Sequence, residues 1–401
     1  MNTMLLTDLN LRQSVSAVGK AVFCAACAIT LSGCGALIDR LSATEINPPA
    51  PLIDFVPKQV VQPAWKASVG ADKVDQPLAL APLLQGDTLF TASASGQVQA
   101  LVAQTGAVRW AVNLREPLSA GPGIGAGLLV LGTLEGEVLA LSVQDGSLQW
   151  RAQVASEVQA SPLVGSGRVV VTTLDGTMTG LDLVGNSVWT VTNTQPALNV
   201  QGMSSPVLHA GQVLQGTARG ELIALDARSG QLLWKSMIAM PTGRSEIQRL
   251  IDIDADPLVH QGTLYVTTYQ GGLVALGEHS GTVLWQQPFS SYRNLAADDN
   301  QLYAINEDSE VWAFDLRTGE PRWKQTTLLK HRQLSDPVLV GTLLAMGDKA
   351  GYVHFLSTED GRLVARVRAG RAPIRQGLLS ADDRVYVQNT AGIVQALRVG
   401  Q

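Results

Sequence analysis

One short frame recurs along the chain and dictates the fold more tightly than any other feature. In its fullest form it runs Gly96-Gln-Val98-Gln-Ala100-Leu101, then Gly106, then Trp110. It returns from Gly136 to Trp150, from Gly176 to Trp189, from Gly220 to Trp234 and from Gly271 to Trp285. A weaker copy carries Val311, Ala313, Phe314, Gly319 and Trp323. The next has Gly351, Val353, Leu356 and Gly361, with Ala365 where Trp is expected, and the last runs from Gly392 to Leu397. The Ala-Leu sites follow one another at intervals of 40, 40, 44, 51, 38, 42 and 41 residues. Periods of this size belong to solenoids, propellers and arrays. Within each unit apolar and polar residues alternate, which is the half-buried strand pattern and not the helical one. Turn pairs such as Thr105-Gly106, Asp145-Gly146 and Ser229-Gly230 punctuate the strands. Short, evenly spaced strands with a periodic aromatic predict a β-propeller with four strands per blade.

The eighth frame lacks a Trp strand of its own, and Pro63-Ala-Trp65-Lys66 supplies one from the other side of the sequence. The prediction is therefore an all-β, eight-bladed β-propeller over residues 63–401, with four antiparallel strands per blade. Its last blade is closed by the N-terminal strand, which removes the open edges of a linear array. The frame Gly permits the turn into the third strand. The frame Trp is expected to pack over the turn of a neighbouring blade as a structural staple. The Gly121-Pro-Gly123-Ile-Gly125-Ala-Gly127 run reads as a turn between strands.

Ahead of the repeats, Arg12 and Lys20 precede an apolar stretch, Ala21 to Leu31, that ends in Leu31-Ser32-Gly33-Cys34. Charge, apolar run and small residues come in the order of a secretory signal. The stretch is too short to span a bilayer. Its end resembles the bacterial lipobox, which implies removal of residues 1–33 and acylation of Cys34. Lipid then anchors the protein to a membrane without a spanning helix. Residues 34–62, with Pro48, Pro49, Pro51 and Pro57, read as a flexible, extended tether. Cys24 and Cys27 fall in the removed part, so no disulfide, zinc or iron–sulfur site is expected. Net charge is −5, only 16% of residues are charged and no basic patch stands out, which excludes nucleic acid as a partner.

Catalytic frames are missing. There is no Gly-x-Ser-x-Gly elbow and no phosphate-binding loop, and the Gly121 run misses the dinucleotide spacing. His209, His260, His279, His331 and His354 are scattered with no pair at ligand spacing, and most of them read as loop or surface residues. No catalytic residue, metal ligand or cofactor is expected. The segment from Gly243 to Pro257 stands out because it lies in the 51-residue interval and carries Asp252, Asp254 and Asp256 in alternation. An EF-hand fails there, since Pro257 stands where Gly is needed. Two readings remain open: a solvated loop leading into a strand, or an acidic docking loop with an exposed Leu or Ile. Long loops inside compact repeats are commonly functional. A second spare apolar segment runs from Pro196 to Gly202.

The frame from Ala100 to Trp110 resembles the repeat of quinoprotein dehydrogenases. That resemblance implies pyrroloquinoline quinone held against a disulfide and a calcium ion with an Asp base, yet the mature chain lacks the cysteines. The scaffold carries over and the enzyme's site does not. The lipobox, tether and eight blades together resemble the BamB family of the outer-membrane β-barrel assembly machine. The segments from Ser245 to Asp254 and from Gly351 to Ala365 support this. The resemblance implies a non-enzymatic scaffold that binds the periplasmic POTRA domains of BamA and joins the other lipoproteins of that complex. It places an apolar contact loop on Leu198, Val200 and Gln201, with Gln201 where the family pattern has Arg. It places an acidic contact on Asp252 and Asp254, beside Arg249. Gly35, not Asp, follows Cys34, which implies sorting to the periplasmic face of the outer membrane. A quinone-dependent dehydrogenase and a binder of glycans or small ligands in the central channel are the alternatives.

Overall fold

The computed structural model describes residues 48–70, 78–196, 203–240 and 251–400. Every regular element among them is a strand, and no helix is long and apolar enough to cross a membrane. The strands form eight sheets arranged as the blades of a ring. Blade 1 comprises Leu83–Gln85, Thr88–Ala92, Gln97–Val102 and Val108–Asn113, numbered from the axis outward. Blade 4 repeats this with Val207–His209, Gln212–Gly216, Glu221–Asp226 and Leu232–Met237. Blade 5 has Leu258–His260, Thr263–Thr267, Leu273–Gly277 and Val283–Gln287. Blade 7 has Val338–Val340, Leu343–Gly347, Tyr352–Ser357 and Leu363–Arg368.

The frame residues do their work between blades. Val98, Leu101 and their counterparts are fully buried, and each apolar cluster joins side chains of two neighbouring sheets. Phe90 and Ala100 of blade 1, for example, pack in one cluster with Leu129 and Leu139 of blade 2. In blade 1 Trp110 pairs with Ala100, and the register slips by one residue immediately afterwards. That bulge brings the outer strand into the turn marked by Gly106. In every blade but the seventh the Trp covers the turn Gly of the next: Trp65 on Gly106, Trp110 on Gly146, Trp150 on Gly185, Trp189 on Gly230, Trp234 on Gly281, Trp285 on Gly319 and Trp323 on Gly361. At Gly146 the need for Gly is twofold, because φ is +73° and an added Cβ would lie 2.7 Å from the Trp110 ring.

Closure follows the sequence pattern. Val61–Ser68 pairs antiparallel with Ile393–Val399, matching Val61 with Val399 and Trp65 with Ala396. The strand begins at Val61, two residues ahead of the expected boundary. The chain before it also differs from a free tether, since from Ala50 onward it hydrogen-bonds to blades 7 and 8.

Two further expectations are corrected. Only the end of the Gly121 run, Ala126-Gly127, is a turn: Gly121–Gly125 belong to the strand Leu118–Gly125 of blade 2, which carries the short parallel strand Ala79–Leu80 on its axial side. Its glycines serve close approach near the axis, where a Cβ on Gly123 would collide with the Pro162 carbonyl of blade 3. His354 is not a surface residue but wholly buried, bonded through Nε2 to Asp348 at 2.8 Å.

Candidate partner-binding site

The segment leading into blade 5 is irregular apart from a bridge between Asp252 and Tyr269, and in it Asp252, Asp254 and Asp256 alternate with Ile253 and Ala255. Ile251, Asp252, Ile253 and Ala255 are all buried. This end of the long interval is therefore no solvated loop. Ile253 packs where Gly216 of blade 4 leaves room, and the Tyr269 N–H donates to the Asp252 carbonyl at 2.9 Å. Asp252 is 3% exposed and helps line a small space beside Gln215 and Ser204. It holds the segment between blades and does not present a free carboxylate to solvent.

Asp254 is different. Both of its carboxylate oxygens are buried and have no hydrogen-bond partner among the described residues. Burial, and then the charge of Asp252, push its carboxyl well above the usual carboxylate range. Asp254 lies in the wall of a cavity of about 750 Å³ at the wheel axis, to which blades 2 to 8 all contribute. Arg293, Lys349 and Arg375 line the same space.

The axial wall carries a chain of latches that sequence reasoning missed. The Ser205 N–H donates to Asp256 Oδ1, the Asp256 N–H to Asn294 Oδ1 at 2.7 Å, and the Asn294 N–H to Asp336 Oδ1 at 3.2 Å. Each blade's side chain thus satisfies a backbone donor of the blade before it. Asn294 Nδ2 also donates to Asp256 Oδ2 at 3.1 Å. Burial raises the Asp256 carboxyl to about 6, against the lowering effect of the Ser205 N–H. Burial raises Asp336 as well, with Arg293 acting in the opposite sense.

Leu198, Val200, Gln201 and Arg249 lie outside the described residues, as does Cys34. Of the expected contact residues, Asp252 and Asp254 alone are described, and the fold brings them onto one segment between blades 4 and 5. Asp256 and Asp336 commit oxygens to backbone N–H groups, and among the described residues no three His, Cys, Asp or Glu converge as metal ligands.

Ring, staples and axial latches define an eight-bladed propeller built from quinoprotein-type repeats. The family model described as outer membrane protein assembly factor BamB matches residues 94–325. Outer membrane protein assembly factor BamB of Legionella pneumophila is 39% identical over 376 residues, covering 93% of this chain and 97% of the relative. The Pseudomonas aeruginosa protein of the same name is 41% identical over 353 residues, 88% of this chain and 93% of its own. The crystal structure of BamB from Moraxella catarrhalis superposes with a TM-score of 0.76 at 31% identity, covering 84% of this chain and all of that one. The chain belongs to the BamB family. Quinohemoprotein alcohol dehydrogenase from Comamonas testosteroni shares the fold alone, with a TM-score of 0.66 at 11% identity over 86% of this chain and 78% of its own.

Proposed function

We propose that this protein is an outer membrane protein assembly factor that works as a non-enzymatic scaffold. Cys34 carries the lipid that holds it to the periplasmic face of the outer membrane. Its partner is the POTRA region of BamA, alongside the other lipoproteins of the assembly complex. Membership of the BamB family supports the assembly role.

The observation that carries the docking site is Asp254. A buried carboxyl without a hydrogen-bond donor is costly, and a basic side chain brought beside it would restore its charge. Asp252 contributes by fixing the segment that presents Asp254. Leu198 and Val200 supply the apolar part of the contact, and Gln201 and Arg249 belong to the same binding set. A few such residues dominate binding energy, while charge sets association rate and specificity.

Photo-crosslinking in cells from positions 198 and 249 tests this reading. Capture of the POTRA region from both positions is expected. Absence of that capture from both, with the chain folded and membrane-bound, overturns the docking site.

A further inference from the structure

Seven blade junctions carry a Trp-on-Gly staple, and the junction of blades 7 and 8 does not. In blade 7 Ala365 takes the Trp position, paired with Phe355. The other blades pair Trp with a small residue, such as Ala100, Ala140 or Ala224. Large and small have exchanged strands in blade 7, so its core stays filled while its outer strand loses the staple. The reason lies in the neighbour. In blade 8 the turn that a Trp would cover does not exist, because the third strand ends at Val399 and the fourth begins at Val61.

Residues 58–60 bridge this seam, and residues 50–57 approach it along blade 7 and the segment that leads into that blade. The Lys58 and Gln59 N–H groups donate to the Val364 carbonyl of blade 7 at 2.9 and 3.2 Å. On the blade 8 side the Gly400 N–H donates to the Val60 carbonyl at 2.7 Å, and Gln59 Nε2 donates to the Gly400 carbonyl. Two arginines hold the upstream half. Arg332 donates to the Ala50 carbonyl, and Arg366 Nη1 donates to the Ile53 carbonyl at 3.0 Å. The Arg366 guanidinium also stacks over Phe55 at 5.0 Å. Both arginines are braced from behind. Asp348 Oδ2 accepts from Arg332 at 2.7 Å and from His354 Nε2 at 2.8 Å, while His354 Nδ1 accepts from Arg366 Nε at 3.4 Å. Asp348 and His354 are fully buried, so this is a preorganised mount and not a surface ion pair.

We propose that residues 50–60 are a clasp that replaces the missing staple and makes the membrane tether part of ring closure. The tether reading rests on lipid attachment at Cys34, as proposed above. With the clasp fastened, about 15 residues separate Cys34 from Ala50 and reach at most about 50 Å. With it released, about 26 residues precede Val61 and reach about 90 Å. The clasp thus keeps the wheel close to the bilayer and directs pull on the lipid into the seam.

Two measurements test this on the full chain. Amide exchange of the Cys34→Ser protein reads the clasp without any lipid. In a Phe55→Ala, Arg366→Gln variant, Lys58, Gln59 and Gly400 should exchange at least tenfold faster, with blades 2 to 5 unchanged. Unchanged protection at the seam overturns the clasp. Replacing residues 51–57 by Gly and Ser in the same number leaves both arginines in place and must give the same release. The second measurement is energy transfer from a dye at position 235 to labelled lipid in vesicles bearing the acylated chain. The released variant should sit farther from the bilayer on average, and equal transfer overturns the shortened tether. If the wild-type chain does not bind vesicles, the lipid reading fails, and the exchange result still decides the clasp.

Discussion

Trp110 lies across Gly146 of the following blade and donates its indole N–H to the Val143 carbonyl at 3.0 Å. One side chain thereby fixes both the spacing and the rotation of two sheets. Trp65, Trp150 and Trp323 make the same bond to Ala103, Leu183 and Thr358. Trp110 is half-buried, so Trp110→Ala should cost up to about 3 kcal/mol, the low end of the range for truncating a buried aromatic. Chemical denaturation of the single variant checks this, and a cost below about 1 kcal/mol would remove the staple role.

Asp256 makes stability depend on pH. Its carboxyl is raised to about 6 in the folded chain, against an ordinary 3.8. Between those values the folded protein binds a proton that the unfolded chain releases. The contribution of Asp256 therefore grows as pH falls from about 6.5 to about 4, by up to about 3 kcal/mol. Unfolding free energies compared between wild type and Asp256→Asn should show a shallower slope in the variant, the raised carboxyls of Asp254 and Asp336 keeping the remainder.

Asp254→Asn separates folding from docking. Removing a buried carboxyl with no hydrogen-bond donor should leave the melting temperature equal or higher near neutral pH. Capture of the POTRA region should weaken in the same variant. A lower melting temperature would mean that the ionised carboxylate supports the fold.

Cys34→Ser tests the anchor in cells. The protein should move from the membrane pellet to the soluble periplasmic fraction. Continued sedimentation with membranes would refute lipid attachment at this residue.

Deleting residues through Trp65 removes the outer strand of blade 8 and the staple on Gly106 together. The melting temperature should fall by well over the few degrees that correspond to about 1 kcal/mol in a chain of this size. An unchanged value would contradict the pairing of Val61 with Val399.

The wheel was legible because its frame is periodic. Val98, Ala100, Leu101 and Trp110 recur at one spacing, and alternation plus turn pairs left little choice of architecture. The axial latches were harder to see, although a signal existed. Pro82, Pro122, Pro162, Pro206, Pro257 and Pro337 each mark the axial side of a blade, and Ser205, Asp256 and Asp336 directly precede three of them. Taken singly, those residues read as turn formers. The burial of Asp252 was not legible at all. Whether an alternating Asp run faces water depends on what the preceding blade leaves open, and here Gly216 admits Ile253. The clasp escaped for a similar reason, because a Pro-containing segment reads as linker until Arg332 and Arg366, far along the chain, are placed beside it.

Gln59 meets Gly400 across 341 positions of sequence. During synthesis the first strand must therefore wait for its partner, and the wheel stays a gapped arc with two raw edges until Ile393–Val399 has emerged. Contacts this remote form late and slowly. The moment of completion is thus set by the delivery of Ile393–Val399, and a chain interrupted ahead of that strand would be left adhesive.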